Sequence, residues 1–119
     1  MILYSFMKKL VSNRPWGKFE QFTLNESSTV KIITINARKR TSLQFHKNRS
    51  EFWKVLDNPV KVTIGKKTFT AKKGDEVSVP KGINHRLIGL SKQARVLEIS
   101  LGNFDEKDIV RIEDDWGRN

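Results

Sequence analysis

Two histidines occur in the chain, and each lies in a short segment whose neighbours could share a metal ion with it. In the first segment one residue separates Gln44 from His46, and on a β-strand that spacing directs both side chains to the same face. Glu51 follows at the start of an aromatic run, where a hairpin would bring its carboxylate beside the first pair. His85 opens a further strand after the tight corner Pro80-Lys81-Gly82. Two imidazoles, a carboxylate and an amide oxygen predict one divalent transition metal ion, with zinc preferred and manganese, cobalt, nickel or iron as alternatives.

Neither histidine alone indicates a metal site. A histidine on a strand more often makes a hydrogen bond in the core or at the surface than it binds a metal. The spacing between His46 and Glu51 is also common by chance. The metal hypothesis therefore depends on the two segments occurring together.

Composition restricts the other possibilities. The 119 residues are expected to form one domain, residues 1–119, of a size that can bury a hydrophobic core. The chain has no cysteine, which excludes disulfides and thiolate metal sites and favours a cytoplasmic location. The first eleven residues lack the order of a secretory signal, and no apolar run approaches the roughly 20 residues of a membrane span.

The formal net charge of +10 raises the question of an anionic partner. Its basic clusters are short, and aromatic residues do not alternate with them as in a base-stacking surface. The segment from Asp105 to Asp115 is mostly acidic. A small anionic ligand such as a sugar phosphate is therefore preferred over nucleic acid.

The elements that must position these residues are predicted to be strands. Short β-branched runs recur with turn residues between them, and no long amphipathic helix is evident. A short helix is predicted at Glu106–Glu113 from the spacing of its apolar residues. The pattern indicates an all-β sandwich, jelly roll or small barrel. The predicted strands include Val30–Ile35, Val60–Ile64, Thr68–Ala71, Glu76–Val79 and Arg95–Leu101.

The two histidine segments together resemble the paired motifs of the cupin superfamily, which implies a single-domain jelly-roll barrel, or double-stranded β-helix. The second segment, from Gly74 through Pro80-Lys81-Gly82 to His85, has the superfamily's spacing throughout. In the first segment Gln44 replaces a histidine. Arg38 stands where a glycine is usual, and Asn58 stands where a second glycine would take a left-handed turn.

A closer resemblance is to the type II phosphomannose isomerase domain, in its stand-alone form. Two positions depart from that family's usual pattern, Phe52 in place of histidine and Lys107 in place of aspartate. Phe52 should alternate away from Glu51 on its strand, so the change either alters packing alone or removes a proton-relay residue. The matching segments are Arg14–Gly17, Ser42–His46, Arg49–Trp53, Pro80–Leu87 and 108–118.

This resemblance implies a metal-dependent isomerase that interconverts mannose 6-phosphate and fructose 6-phosphate through an enediol, working as a homodimer. Gln44, His46, Glu51 and His85 would bind the metal. Arg40 and Arg111 are the preferred catalytic residues, and Arg49 and Arg86 are candidates for binding the substrate phosphate. The general base stays open among Glu98, Lys54 and a metal-bound hydroxide.

Two other functions are compatible with the residues. One is a non-catalytic or regulatory cupin that binds a sugar phosphate or nucleotide sugar, and the changes at Phe52 and Lys107 motivate it. The other is a different metal-dependent cupin enzyme, such as a dioxygenase. Trp16 and Trp53 are interpreted as structural, the first packing on the barrel at the Pro15 turn and the second in the core.

Overall fold

The computed structural model describes residues 9–119, and regular structure within that range consists of strands. No helix among these residues could cross a membrane. The strands are β1 (Leu10–Arg14), β2 (Gly17–Gln21), β3 (Ser28–Ile35), β4 (Leu43–Phe45), β5 (Arg49–Val55), β6 (Val60–Ile64), β7 (Lys67–Ala71), β8 (Glu76–Val79), β9 (His85–Gly89), β10 (Ala94–Gly102) and β11 (Val110–Glu113).

Two antiparallel sheets face each other, and a separate hairpin precedes them. One sheet has the order β3-β10-β5-β8 and the other has the order β11-β4-β9-β6-β7; among the strands of residues 9–119, β1 pairs only with β2. From β3 onwards the chain crosses to the opposite sheet at every connection except the β6–β7 hairpin. This alternation is the predicted jelly-roll arrangement, and the all-β prediction is confirmed.

The space between the sheets has an apolar half and a polar half. Along β5 the inward side chains change from Arg49 and Glu51 to Trp53 and Val55. The apolar half is built from both sheets and forms one buried cluster, which includes the predicted core residue Trp53. Its other members are Ile35, Val55, Val60, Val62, Ile64, Ala71, Val77, Val79, Leu87, Ala94 and Val96.

The helix predicted at Glu106–Glu113 is wrong. Residues 110–113 form β11, which extends the five-stranded sheet by pairing with β4. Val110 and Ile112 are β-branched, and the free edge of β4 supplies the hydrogen bonds that an isolated segment lacks. Tertiary pairing therefore overrides the weak helical spacing.

Two turns differ from the expectation set by the cupin motifs. Arg38 has a φ of 63°, so the left-handed turn forms even though its usual glycine is absent. Asn58 is not among the described non-glycine residues with positive φ; its side-chain amide instead donates to the Gln93 carbonyl at 2.9 Å.

At Gly89 an added Cβ would lie 2.2 Å from the Asn36 carbonyl oxygen, so close backbone approach requires glycine there.

The packing predicted for Trp16 is wrong. Its side chain is 74% exposed at the turn between β1 and β2, so it does not pack on the barrel. Salt bridges connect the hairpin to the four-stranded sheet, because Lys9 Nζ lies 2.7 Å from Glu20 on β2 and 2.6 Å from Glu76 on β8. Val30 and Ile32 on the edge strand β3 are also exposed.

The homodimer and the cytoplasmic location stay predictions.

Phe52 lies on the outer face of its sheet, as its position next to Glu51 predicts. Only 2% of it is exposed, and it packs with Ile99, Phe22 and Leu97 in a second apolar cluster. The ring centroids of Phe52 and Phe22 are 5.6 Å apart. A side chain at position 52 is therefore separated from the interior by the backbone of β5.

Replacing Phe52 with histidine is expected to destabilise the fold without changing metal content. A buried imidazole without a partner would cost about 1–3 kcal/mol of unfolding free energy, in addition to lost packing. Urea unfolding and elemental analysis would measure the two effects. The matched control is Val30→His on the exposed part of the same outer face, with an expected change within about 0.5 kcal/mol. Greatly increased turnover in Phe52→His would contradict a packing role.

Candidate metal centre

Three polar side chains form a row across the inner face of the five-stranded sheet. Arg111 of β11 pairs in register with Gln44 of β4, and Gln44 pairs with His85 of β9. Register partners on adjacent antiparallel strands share a face. His46, two residues after Gln44, adds its imidazole to the same face. The backbone N–H of Gly82 donates to the His46 carbonyl at 2.8 Å, so the corner predicted from sequence links the two histidine segments.

Glu51 reaches the two histidines from the opposite sheet. Its Oε2 lies 3.4 Å from His46 Nε2, and its Oε1 lies 3.4 Å from His85 Nε2. One ligand atom from each of the three residues lies within 4.8 Å of the others. All three residues are about 2% exposed. The structure thus brings together His46, Glu51 and His85, which the sequence spacing proposes as metal ligands.

Backbone carbonyls fix the orientation of both imidazoles. His46 Nδ1 is 2.7 Å from the Asp108 carbonyl oxygen, and His85 Nδ1 is 2.9 Å from that of Ile83. Each Nδ1 must carry the proton to donate, which leaves each Nε2 as an acceptor 3.4 Å from an oxygen of Glu51. Burial lowers the pKa of His46 and lowers the pKa of His85 to about 4, so both rings are neutral near pH 7.

The unpaired atoms of the cluster fit a cation. Within the described residues 9–119, His85 Nε2 and Glu51 Oε1 are buried and have no hydrogen-bond partner, although both are acceptors. A buried acceptor without a donor is costly. Two imidazole nitrogens and a carboxylate oxygen match the preference of zinc and related divalent ions. The residues present therefore fit a metal ion.

Gln44 has the position of a fourth ligand. Its amide nitrogen lies 3.4 Å from His46 Nε2, and its amide oxygen accepts from the hydroxyl of Ser42, which is 1% exposed. The two amide atoms can exchange places, because a hydroxyl both donates and accepts. That exchange would present the amide oxygen to the cluster and keep the Ser42 contact.

The four predicted arginines occupy different environments. Arg111 Nε is buried without a partner in the row that contains Gln44. Arg49 lies two residues before Glu51 on the inner face, and its Nε is 3.3 Å from Glu51 Oε2. Arg40 is paired with Asp115 through two hydrogen bonds of 2.7 and 2.8 Å. Arg86 follows His85 and so points to the opposite face of β9.

Arg86 is held away from the cluster by its own contacts. Its Nε donates to the Thr41 carbonyl at 3.1 Å, and its Nη1 lies 3.6 Å from Glu113 Oε1. Burial lowers the pKa of Arg86. The structure thus places Arg49 and Arg111 toward the cluster, whereas Arg86 lies behind it.

Glu98 adds a second inward carboxyl. It alternates with Ser100 on β10, and Ser100 is the register partner of Glu51. Glu98 Oε1 accepts from Trp53 Nε1 at 3.3 Å. Burial, together with the nearby Glu51 carboxylate, raises the pKa of Glu98 to about 7. Lys54, the other side chain considered as a base, points outward to Glu20 and Glu76.

Sequence reasoning missed two contributors to this site. Ser100 places a buried, unpartnered hydroxyl opposite Glu51, and the Asp108 backbone holds His46. The signal for Ser100 was available, because Val96, Glu98 and Ser100 occupy alternate positions of one strand. No residue type predicts the carbonyl contact of Asp108, since every residue has a carbonyl group.

A cavity of about 400 Å³ opens beside Gln44. Its wall includes Ser42 and the basic side chains of Lys39, Arg40 and Arg118. The volume lies within the usual range for small-molecule sites. Of the candidate metal ligands, Gln44 lines this cavity, so an anionic ligand of modest size would fit beside Gln44.

Comparison with known proteins identifies the family. Residues 6–114 match the family described as mannose-6-phosphate isomerase C-terminal. The chain belongs to this family. The resemblance in the sequence predicts membership of the mannose-6-phosphate isomerase C-terminal family, and that prediction is confirmed.

The curated relatives are longer proteins, named as xanthan or alginate biosynthesis proteins and mannose-1-phosphate guanylyltransferases. The chain is 34% identical over 107 residues to xanthan biosynthesis protein XanB of Xanthomonas campestris pv. campestris, which covers 88% of this chain and 23% of XanB. It is 33% identical over 107 residues to mannose-1-phosphate guanylyltransferase ManC of Salmonella typhimurium, covering 88% of this chain and 22% of ManC. This mannose-6-phosphate isomerase C-terminal domain thus spans less than a quarter of these relatives.

Solved structures confirm the cupin fold. The capsular polysaccharide assembling protein CapF of Staphylococcus aureus aligns with a TM-score of 0.67 at 15% identity, over 88% of this chain and 34% of CapF. Oxalate decarboxylase of Bacillus subtilis aligns with a TM-score of 0.65 at 22% identity, over 73% of this chain and 24% of that chain. These similarities concern the fold of the mannose-6-phosphate isomerase C-terminal domain.

Proposed function

We propose that this protein is a metal-dependent aldose–ketose isomerase that interconverts mannose 6-phosphate and fructose 6-phosphate. The observation that carries the proposal is the buried cluster of His46, Glu51 and His85, in which two neutral imidazole lone pairs converge on a carboxylate. Membership of the mannose-6-phosphate isomerase C-terminal family supports the choice of reaction. Gln44 would complete the ligand set through its amide oxygen.

A bound divalent metal would supply Lewis-acid polarisation of the sugar carbonyl. The chain's own residues would do the remaining chemistry. Glu98 is the side chain we assign to proton transfer between the two carbons, because it is a second inward carboxyl beside Glu51 that binds no metal in this scheme. The indole of Trp53 orients this carboxyl through its N–H.

Arginines would bind the phosphate and orient the sugar. Arg111 has a buried Nε without a partner in the row of Gln44, so an anion there would satisfy it. Arg40 lines the cavity and is half-exposed, although Asp115 must share it with a ligand. The forked donors of a guanidinium match a phosphate dianion better than an ammonium group does.

Metal-loaded protein is expected to convert mannose 6-phosphate into fructose 6-phosphate, and chelation should abolish the reaction. A coupled assay that consumes fructose 6-phosphate would measure it, before chelation, after chelation and after zinc, manganese or cobalt is restored. Binding of mannose 6-phosphate by metal-loaded protein without turnover would instead favour the non-catalytic sugar-phosphate cupin. Absence of both binding and turnover would exclude this substrate.

A further inference from the structure

Arg49 makes direct contact with two of the proposed metal ligands. Its Nη2 lies 3.3 Å from His46 Nε2, and its Nε lies 3.3 Å from Glu51 Oε2. The side chain is only 7% exposed, and a guanidinium remains charged even when buried. A permanent cation is thus built into the cluster.

The contact with His46 uses the lone pair that a metal ion would need. His46 Nδ1 donates its proton to the Asp108 carbonyl at 2.7 Å, which leaves Nε2 as an acceptor with a single lone pair. Arg49 Nη2 donates to that lone pair at 3.3 Å, and the Gln44 amide nitrogen, which can exchange with its oxygen, lies 3.4 Å from the same atom. A neutral imidazole nitrogen cannot accept this N–H and coordinate a metal ion along the same direction. The Arg49–His46 hydrogen bond and metal coordination are therefore mutually exclusive.

The charge of Arg49, like its hydrogen bond to His46, opposes metal binding. The Arg49 cation lies beside the Glu51 carboxylate, so it already neutralises the charge that would attract a divalent ion. Arg49 and Glu51 are both buried, so repulsion between the Arg49 cation and a metal ion bound beside it would be poorly screened. Arg49 should consequently lower the affinity of the cluster for its metal.

Other contacts keep the guanidinium close to the cluster when the bond to His46 breaks. Arg49 Nη1 donates to the Asp105 carbonyl at 3.1 Å, and the guanidinium carbon lies 4.5 Å from the centre of the Phe104 ring. Once the metal takes the His46 lone pair, Nη2 is a buried donor that lacks an acceptor. An anion beside the metal would supply the acceptor.

We propose that Arg49 competes with the metal ion for His46 and that metal binding releases its Nη2 donor to an oxyanion, so that metal and anionic substrate bind with positive coupling. The proposal rests on the proposed metal site and assigns Arg49 the role of linking that site to the substrate phosphate. Coupling of this kind is reciprocal: an anion must tighten metal binding by the same factor as the metal tightens anion binding.

Zinc affinity, measured by competition with a chromogenic chelator, tests the competition. Arg49→Met is expected to bind zinc about tenfold more tightly than the wild type, within the usual range for coupled groups. Arg49→Lys retains a cation without the fork and should fall between them. Arg95→Met is the matched control for net charge, because Arg95 is an exposed residue paired with Asp57. A purely structural role for Arg49 predicts the opposite sign, since its loss would disorder Glu51 and weaken zinc binding.

Sulfate, a phosphate-like dianion, tests the coupling without any substitution. At constant ionic strength, replacing chloride with sulfate should tighten zinc binding to the wild type about fivefold or more, and should leave Arg49→Met unchanged. Thermal unfolding of each zinc-free protein checks that the variants fold. Equal zinc affinities in folded wild type and Arg49→Met, or an equal sulfate effect in both, would overturn this inference. Zinc binding to neither protein would instead overturn the proposed metal site.

Discussion

His85→Ala is expected to remove the metal ion and abolish isomerase turnover while the fold is retained. Among residues 9–119 no group bonds the buried His85 Nε2, so the substitution loses that candidate ligand and the single hydrogen bond from Nδ1 to the Ile83 carbonyl. Metal affinity should fall by more than about a hundredfold, the upper limit for residues that only orient a ligand. Elemental analysis after dialysis and the coupled isomerase assay would measure the two losses.

The matched control is Thr63→Ala. Thr63 belongs to the strand next to His85, but it pairs in register with Arg86 and bonds Thr68 on the outer face. It should retain one metal ion per chain and wild-type turnover. If His85→Ala bound the metal as tightly as this control does, the ligand assignment would have to be abandoned.

Glu98→Gln is expected to lower turnover by about a hundredfold to ten-thousandfold with little change in metal content. The amide has the same shape as the carboxyl and can still accept from Trp53 Nε1, so packing is preserved. It can no longer take up a proton from the sugar carbon. Turnover at saturating substrate, compared at equal metal loading, would measure the effect.

Glu106→Gln provides the corresponding control, because the Glu106 side chain is 82% exposed and its Oε1 lies 3.5 Å from Lys31 Nζ. It should match the wild type in both metal content and turnover. A Glu98→Gln variant that retained more than about a tenth of the wild-type rate would leave the proton-transfer role without support.

Most of the strands, and the shared face of Gln44 and His46, could be predicted because both depend on local periodicity. Val60, Val62 and Ile64 alternate with polar residues, and the structure has β6 at those positions. Gln44 and His46 share a face for the same reason. The second motif was predictable because its glycines and proline have backbone preferences that hold in any context.

The failures arose where long-range pairing decides the outcome. Residues 110–113 become a strand only because β4 offers a free edge, and Trp16 is exposed because its hairpin pairs with neither main sheet. Arg86 follows His85 on β9, so strand alternation directs it to the opposite face, near Glu113, and its phosphate-binding role stays a prediction. Contacts such as Asp108 with His46 join residues 62 positions apart and leave no local pattern.

Because the interior is divided into an apolar half and a polar half, the residues that stabilise the fold and the residues that could carry the chemistry can change independently during evolution. The apolar cluster maintains the fold, whereas Gln44, Glu51 and Glu98 contribute no apolar packing to it. Mutations could therefore exchange one chemistry for another, or leave only a binding protein, while the barrel persists unchanged. Proteins descended from such a domain would share its fold and differ in activity. Evidence that a sample is well folded would therefore not show which activity it has.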